Sequence, residues 1–417
     1  MYHRFIEPLF VELLNEFRIL YLTGPRQAGK TTLVRSIAER LNITYLTLDN
    51  QAMYASAMTD PHGFIRSFAG KRIILDEFQY VPHLIMAIKE ASDNLAPDEK
   101  GRFILTGSTD IFRSAKVQEA LPGHMARMEL YPLSAGEITG QRRNMIDYLN
   151  EGIFQAVETP LLQREELARI LIDGGYPEIQ QKSQRGKQAW FKSYVEGRLF
   201  KDFETLYAAR GDYHSKLKAL MFYLAGLTGN LLKYASVSND LGLDDKLVKS
   251  YIDILELMFI IKRVPAYMKN KAKRLAVTMP KLHCIDTGLA CYFLGLNNES
   301  QLLSSPYFGG LLETFIYMEL VKQATWSVTL VEFYHFRDKQ KHEVDIVIEQ
   351  ADGGVWGVEV KASSSVKLED FRNLIRLAEF LGTTFVGGVV FYSGKDVLPF
   401  SQNGIQLYAL PIGLFFK

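Results

Sequence analysis

The chain has 417 residues, 47% of them hydrophobic and 23% charged, with a formal net charge of +1. That is globular composition at a length that predicts two or three domains, and near-neutrality excludes a global field for polyanions or acidic lipid, so such partners must be read from local patches. Two cysteines, Cys284 and Cys291, exclude a disulfide framework or a cysteine zinc site and fit a reducing cytoplasm.

The N-terminal stretch, residues 1–17, carries charges throughout and is expected to be an amphipathic helix, not a secretion signal. Arg18–Leu22 predicts a short strand running into a glycine loop. A helix is expected over Thr32–Leu41, with apolar Leu33, Val34, Ile37 and Leu41. Strands are expected at Ile43–Leu48, Arg72–Leu75, Arg102–Thr106 and Glu129–Leu133, with a helix at Pro82–Ser92. Alternating strands and helices predict an α/β domain with a parallel sheet covered on both faces. From Tyr148 to about Leu232 the pattern is mainly helical, broken at Gly174-Gly175-Tyr176-Pro177. Beyond Met279 strands return at Val328–Phe336, Glu343–Glu349, Val355–Lys361 and Phe385–Tyr392. The longest uncharged run, Val397–Phe416, is interrupted by Pro399, Gly404 and Pro411; it predicts a strand and loops and no membrane partner.

Gly24-Pro25-Arg26-Gln27-Ala28-Gly29-Lys30-Thr31, with Thr32 after it, follows a strand and opens a helix. This is the context of a P-loop, in which glycines let backbone N–H groups close on phosphate and the helix N-terminus adds its dipole. ATP and Mg²⁺ are the expected ligands, with Lys30 on the β- and γ-phosphates and Thr31 on Mg²⁺. The apolar strand at 73–75 ends in Asp76-Glu77. Asp76 is placed for the Mg²⁺ shell and Glu77 to orient and deprotonate the attacking water. Ser108, after the strand at 102–106, is expected to reach the γ-phosphate or that water.

Gly-Pro-Arg-Gln-x-Gly-Lys-Thr-Thr, Asp76-Glu77-Phe78-Gln79-Tyr80-Val81-Pro82-His83-Leu84 and Leu105-Thr106-Gly107-Ser108 resemble the AAA-type archaeal and bacterial ATPases that carry a C-terminal domain of unknown function. Gly175-Tyr176-Pro177-Glu178, Trp190-x-x-x-Tyr194, Pro280-Lys281-x-x-x-x-Asp286-x-Gly288-Leu289, Glu313 and Glu343-Val344-Asp345 extend the resemblance over nearly the whole chain. One departure concerns the arginine expected shortly before Pro132-Leu133: Gly123 is followed by His124, and the next arginine is Arg127. Histidine does not reproduce a bidentate guanidinium contact, so the sequence names no arginine finger. A homo-oligomer fits this ATPase type, but no residue establishes it.

Ala235–Leu243 followed by Asp244–Leu257 reads as helix, turn at Gly242 and longer helix, with Ser238–Leu241 as the short helix and Asp244 as cap. Lys246 and Lys249 lie off the apolar face. A strand at Phe259–Pro265 leads to a basic tip with Lys269, Lys271, Lys273 and Arg274. The arrangement suits DNA phosphate contact as a winged-helix-like domain; an interaction module for a protein partner is the alternative.

In the C-terminal part, Asp345 and Glu359-Val360-Lys361 flank a turn-forming stretch at 350–354. A three-residue loop at 352–354 pairs Asp345 with Lys361 and Val347 with Glu359, all on one face; a two-residue loop separates them. The pattern resembles the PD-(D/E)xK restriction-nuclease fold, with Glu313 on the preceding helix. That likeness implies Mg²⁺ or Mn²⁺ on Asp345 and Glu359, and Lys361 stabilising charge on phosphorus or orienting water. Domains of this type can also be inactive. The expected organisation is a P-loop AAA-type ATPase domain (1–140), a helical linker (141–210), a winged-helix-like domain (211–280) and a nuclease-like α/β domain (281–417).

Overall fold

The computed structural model describes residues 2–109, 123–152, 154, 159–207, 213–271, 274 and 279–417. The chain divides into two units, Met1–Leu133 with Leu257–Phe259, and Ser134–Glu256 with Ile260–Lys417.

In the first unit α1 (Glu7–Leu14) precedes β1 (Ile19–Thr23), α2 (Lys30–Leu41), β2 (Thr44–Thr47), α3 (Gln51–Thr59), α4 (Pro61–Arg66), β3 (Ile73–Asp76), α5 (Leu84–Asp93), β4 (Phe103–Gly107) and β5 (Met125–Glu129). Among the described residues these five strands form a parallel sheet in the order β2-β3-β4-β1-β5. The residues of β1, β3 and β4 are all buried, the mark of central parallel strands covered on both faces. Tyr21, Leu75, Phe78, Leu84, Ile88 and Leu105 are fully buried in one core, each contributing roughly 1.5–3 kcal/mol through burial. α2 buries Leu33, Val34, Ile37 and Ala38 along one face, as its spacing predicts. The fifth strand differs from expectation: it is Met125–Glu129, not Glu129–Leu133. Leu130 still donates its N–H to the Thr23 carbonyl (2.8 Å), but Pro132 has no N–H with which to extend the ladder. The N-terminal helix is also shorter than expected, and α5 starts at Leu84 after a 3₁₀ turn at Phe78–Tyr80.

The second unit begins with α6 (Ala135–Thr139), α7 (Met145–Glu151), α8 (Arg164–Asp173), α9 (Gln184–Tyr194), α10 (Phe200–Tyr207) and α11 (Tyr213–Gly226). Then come β6 (Asn230–Leu231), α12 (Tyr234–Leu241), α13 (Asp245–Leu257), β7 (Ile261–Val264) and β8 (Lys281–Cys284). β6, β8 and β7 form an antiparallel sheet in that order. α12 starts four residues before the expected short helix and ends at Gly242, whose φ of 63° suits glycine. The Asp244 carboxylate accepts the N–H groups of Lys246 and Leu247 (2.9 and 3.1 Å) and caps α13.

After α14 (Thr287–Leu294) and α15 (Glu299–Ser304), α16 (Phe308–Ala324) is buried almost all round. β9 (Val331–Arg337), β10 (Glu343–Gln350) and β11 (Val355–Lys361) form a meander. α17 (Arg372–Leu381) crosses over to β12 (Phe385–Tyr392), which lies parallel to β11, and β13 (Leu398–Gln402) and β14 (Ile405–Pro411) complete a mixed sheet in the order β13-β14-β12-β11-β10-β9. The uncharged run at 397–416 therefore supplies two strands rather than one. α17 packs Phe371, Leu374, Leu377 and Leu381 against this sheet. The β10–β11 register is also corrected: Val347 faces Gly357 and Ile346 faces Val358, which continues to Asp345 opposite Glu359. The loop has three residues but lies one position earlier than expected, closed by Gln350 N–H to the Gly354 carbonyl (2.8 Å) with Gly353 at φ 90°. A two-residue offset preserves the alternation, so the acidic residues still share a face.

Among the described residues no helix is long and apolar enough to cross a membrane.

Candidate functional site

The loop at 24–31 joins the buried end of β1 to the start of α2. Gly24 has φ 146°, and a Cβ there would lie 2.1 Å from the Leu130 carbonyl oxygen, so only glycine fits. Gln27 and Gly29 also have positive φ (60° and 98°), the left-handed backbone used where successive N–H groups form an anion-binding nest. Lys30 is buried, and its ammonium donates to the carbonyls of Gly24 and Pro25 (both 2.8 Å). Arg4, a residue the sequence reading missed, braces the loop from outside by donating to the carbonyls of Ala28 (2.6 Å) and Tyr131 (2.7 Å). Arg26 reaches the Tyr80 hydroxyl (3.0 Å), Ala28 is buried and Thr32 is exposed.

Asp76 closes β3 and gathers three hydroxyls. Thr31 donates to Oδ2 (2.9 Å), Tyr45 from β2 to the same oxygen (2.5 Å), and Thr106 from β4 to Oδ1. Burial, then the bond to Asp76, pushes the Tyr45 phenol up to about 12. Glu77 sits in the left-handed region (φ 58°). Its carboxylate accepts a bond from the Gln79 amide, which also donates to the Ser108 hydroxyl (3.1 Å). The Gln79 carbonyl in turn accepts the Ser108 N–H (3.2 Å), so Gln79 bridges the two residues. Lys30, Thr31, Asp76, Glu77 and Ser108 thus meet at the C-terminal ends of three adjacent strands, where open α/β sheets bind ligands. Arg127 pairs with Glu129 in β5 (2.7 Å), and His124 lies 3.8 Å from Asp93.

The second constellation lies in the C-terminal sheet. Glu313 from α16, Asp345 from β10, and Glu359 and Lys361 from β11 come together, as expected. The β9–β10 register slips by one between Val344 and Val347, a bulge that aims Asp345. The addition is Lys281, from β8. Its ammonium, on a side chain 4% exposed, lies 2.6 Å from Glu313 Oε1 and 3.5 Å from Asp345 Oδ1. Asp345 Oδ2 accepts the Val360 N–H (3.0 Å), while Glu359 is held by Lys361 (3.3 Å) and Asn373 (3.5 Å). Burial and then the neighbouring Asp345 raise the Glu313 carboxyl well above its usual range and push Glu359 up to about 8. Burial pulls the Lys281 ammonium down, but Asp345 and Glu313 outweigh it and its pKa is raised. Among the described residues no group of three or more His, Cys, Asp or Glu side chains is arranged to hold a metal ion. The arrangement does not fit the Mg²⁺ or Mn²⁺ expected on Asp345 and Glu359, since Asp345 faces the Lys281 ammonium and Glu359 that of Lys361.

The N-terminal chain matches the AAA domain family over residues 16–139, and residues 308–415 match a domain of unknown function (DUF4143). The chain joins an AAA-type ATPase domain to a C-terminal domain of unknown function. Between them, residues 164–300 match another domain of unknown function (DUF8612). An uncharacterized protein of Mycobacterium tuberculosis is 25% identical over 353 residues, 84% of this chain and 72% of that protein. A cytidylate kinase of Streptococcus pyogenes is 26% identical over 211 residues, 48% of this chain and 82% of the kinase. Among solved structures, a Walker-type ATPase of Pyrococcus abyssi aligns over 69% of this chain and 94% of its own, at 13% identity and a TM-score of 0.44.

The chain also differs from expectation at its basic tip. Arg274 is buried. Its guanidinium pairs with both oxygens of Glu349 (2.5 and 3.2 Å) and lies over the rings of Tyr267 and Tyr334 (4.4 and 4.6 Å). Lys271 is exposed 3.5 Å from Glu349, Lys269 lies over the Phe380 ring (4.8 Å), and Lys273 falls outside the described residues. Lys246 and Lys249 are exposed on α13, as predicted. Gln79 and Lys281 stand in motifs quoted above without an assigned role; a lysine opening the buried strand Lys281–Cys284 was the available signal.

Proposed function

We propose that the first unit hydrolyses ATP with Mg²⁺. The observation that carries this reading is the Glu77–Gln79–Ser108 bridge beside the Asp76–Thr31 pair. Lys30, freed from the loop carbonyls, binds the β- and γ-phosphates, and the loop N–H groups from Gly24 to Thr32 take the remaining oxygens. Thr31 and Asp76, 2.9 Å apart, are the residues that would hold Mg²⁺. When bound, that ion neutralises charge on the phosphate oxygens. Glu77 orients the attacking water and takes its proton, and Ser108 fixes water or the γ-phosphate. Lys30→Ala should abolish ATP binding, and Glu77→Gln should bind ATP without turnover. Normal hydrolysis by both variants refutes the assignment. Phosphoryl transfer to a nucleotide, as the kinase resemblance suggests, is disfavoured by a carboxylate poised for water; stoichiometric ADP and phosphate, unchanged by added CMP, separates the two.

We also propose that the helix-turn-helix contacts DNA phosphates through Lys246 and Lys249. The order α11, β6, α12, α13, β7, β8 supports a winged-helix reading, and both lysines face solvent. Salt-dependent DNA binding that weakens in Lys246→Ala/Lys249→Ala, measured with and without ATP, tests this. Binding unchanged by the pair favours a protein partner instead. The order α16, β9, β10, β11, α17, β12 supports the nuclease-fold likeness, but with Lys281 among the carboxylates the domain is read as non-cleaving. The division at 140, 210 and 280, a cytoplasmic location and self-association belong to this same proposal.

A further inference from the structure

The site that the nuclease likeness reserves for a divalent cation contains a cation of the chain's own. Lys281 Nζ lies 2.6 Å from Glu313 and 3.5 Å from Asp345, on a side chain 4% exposed. A Mg²⁺ ion bridging those carboxylates would need oxygens at about 2.0–2.1 Å, and it or a Mn²⁺ ion would compete for the same volume. The other carboxylate oxygens of the cluster have protein donors as well. Asp345 Oδ2 is held by the Val360 N–H, and Glu359 by Lys361 and Asn373. Two lysines, Lys281 buried and Lys361 37% exposed, thus face three carboxylates in one cluster. Behind Lys281, on the same strand, His283 is 1% exposed. Its Nδ1 engages the Thr314 hydroxyl (2.9 Å), while Nε2 has no hydrogen-bond partner and points toward Glu313 at 3.8 Å. Burial and then the Lys281 charge keep this imidazole neutral by lowering its pKa well below the usual value. Lys281, at 2.6 Å, is thus the cation closest to Glu313.

We propose that Lys281 is the resident cation of the C-terminal carboxylate cluster, replacing a divalent metal between Glu313 and Asp345, so that the domain holds its site closed to metal-dependent phosphodiester chemistry. β8 delivers this lysine from outside the helix and the meander that carry the carboxylates, so the β6-β8-β7 sheet and the C-terminal sheet are joined through one ion cluster. Removing the ammonium leaves carboxylates without their partner, and such a pocket becomes a site for a hard cation.

The test uses the full chain without nucleotide and follows free Mn²⁺ by electron paramagnetic resonance. Wild type should bind no Mn²⁺ tighter than about 1 mM. Lys281→Ala should bind at least about tenfold tighter and lose that gain when Asp345→Asn is added. Mn²⁺ should raise the melting temperature of Lys281→Ala and leave that of wild type unchanged. Wild-type binding in the micromolar range that disappears in Asp345→Asn overturns the proposal, and so does Lys281→Ala that folds but gains no Mn²⁺ affinity. If Lys281→Ala does not fold, wild type compared with Asp345→Asn decides alone: no Mn²⁺ binding by either supports the resident lysine. ATP turnover enters none of these readings, so their outcome is separate from that of the ATPase assignment.

Discussion

Truncating Arg274 separates a structural cation from a DNA-contacting one. Its side chain is 4% exposed and pairs with Glu349, itself 6% exposed. Arg274→Ala leaves that carboxylate buried without its closest guanidinium, and removing one partner of a buried pair costs about 3–5 kcal/mol. The two tyrosine faces at 4.4 and 4.6 Å add about 0.5–2 kcal/mol each. Overlap between these terms makes about 4 kcal/mol the expected loss. All three tryptophans, Trp190, Trp326 and Trp356, lie in the second unit, so tryptophan fluorescence during urea unfolding reports on that unit alone. The midpoint should fall sharply in Arg274→Ala and in Glu349→Ala, and the double change to Met at both positions should recover much of the loss. A solvent-facing arginine would behave otherwise, with unchanged unfolding and a salt dependence of DNA binding reduced by about one phosphate contact. An unfolding free energy in Arg274→Ala within about 1 kcal/mol of wild type refutes the buried-pair reasoning.

Gly24→Ala forces a Cβ against the Leu130 carbonyl and should abolish ATP binding while costing the first unit at least about 2 kcal/mol; nucleotide affinity and unfolding of that unit check both. Gln79→Ala removes the bridge between Glu77 and Ser108; turnover should fall on the order of tenfold, the equivalent of one hydrogen bond to a charged group, with ATP affinity retained. Unchanged turnover removes Gln79 from the site. His335 is held at about 4 by burial and then by Lys281. Its folded pKa is below the unfolded value, so its contribution is present above about pH 6.5 and lost as pH falls toward 4, up to about 3 kcal/mol. Unfolding at pH 7.5 and 5, compared with His335→Gln, should show a smaller acid loss in the variant.

The clustering of Lys30, Thr31, Asp76, Glu77 and Ser108 was legible because these residues are contiguous or stand at strand ends: the glycine loop, Asp76-Glu77 and Ser108 each sit beside an apolar run that fixes their position. β5 was misplaced because Leu130-Tyr131-Pro132-Leu133 is the more apolar segment, whereas Met125–Glu129 lies toward the sheet edge and alternates with charge. The hairpin register was missed by one residue on each strand, since Asp352-Gly353-Gly354 and Ala351-Asp352-Gly353 are comparable turn sequences. Lys281 and Arg274 were out of reach for a different reason. Their partners stand 32, 64 and 75 positions away, and only the closed topology shows that these charges are enclosed.

The hairpin between β7 and β8 has another effect through its folded-back arm. Ala266 forms a parallel bridge with His335 of β9; the Tyr267 N–H donates to the His335 carbonyl (2.6 Å), and the His335 N–H donates to Pro265 (3.1 Å). β9 is the end strand of its sheet, and at the opposite end β13 carries Pro399. Open strand edges are templates for the backbone of a neighbouring molecule, and a covering arm and a proline both blunt them. Among the described residues, each end of this sheet thus carries an obstacle to strand-to-strand fusion of two such chains, Pro265–Tyr267 at β9 and Pro399 at β13.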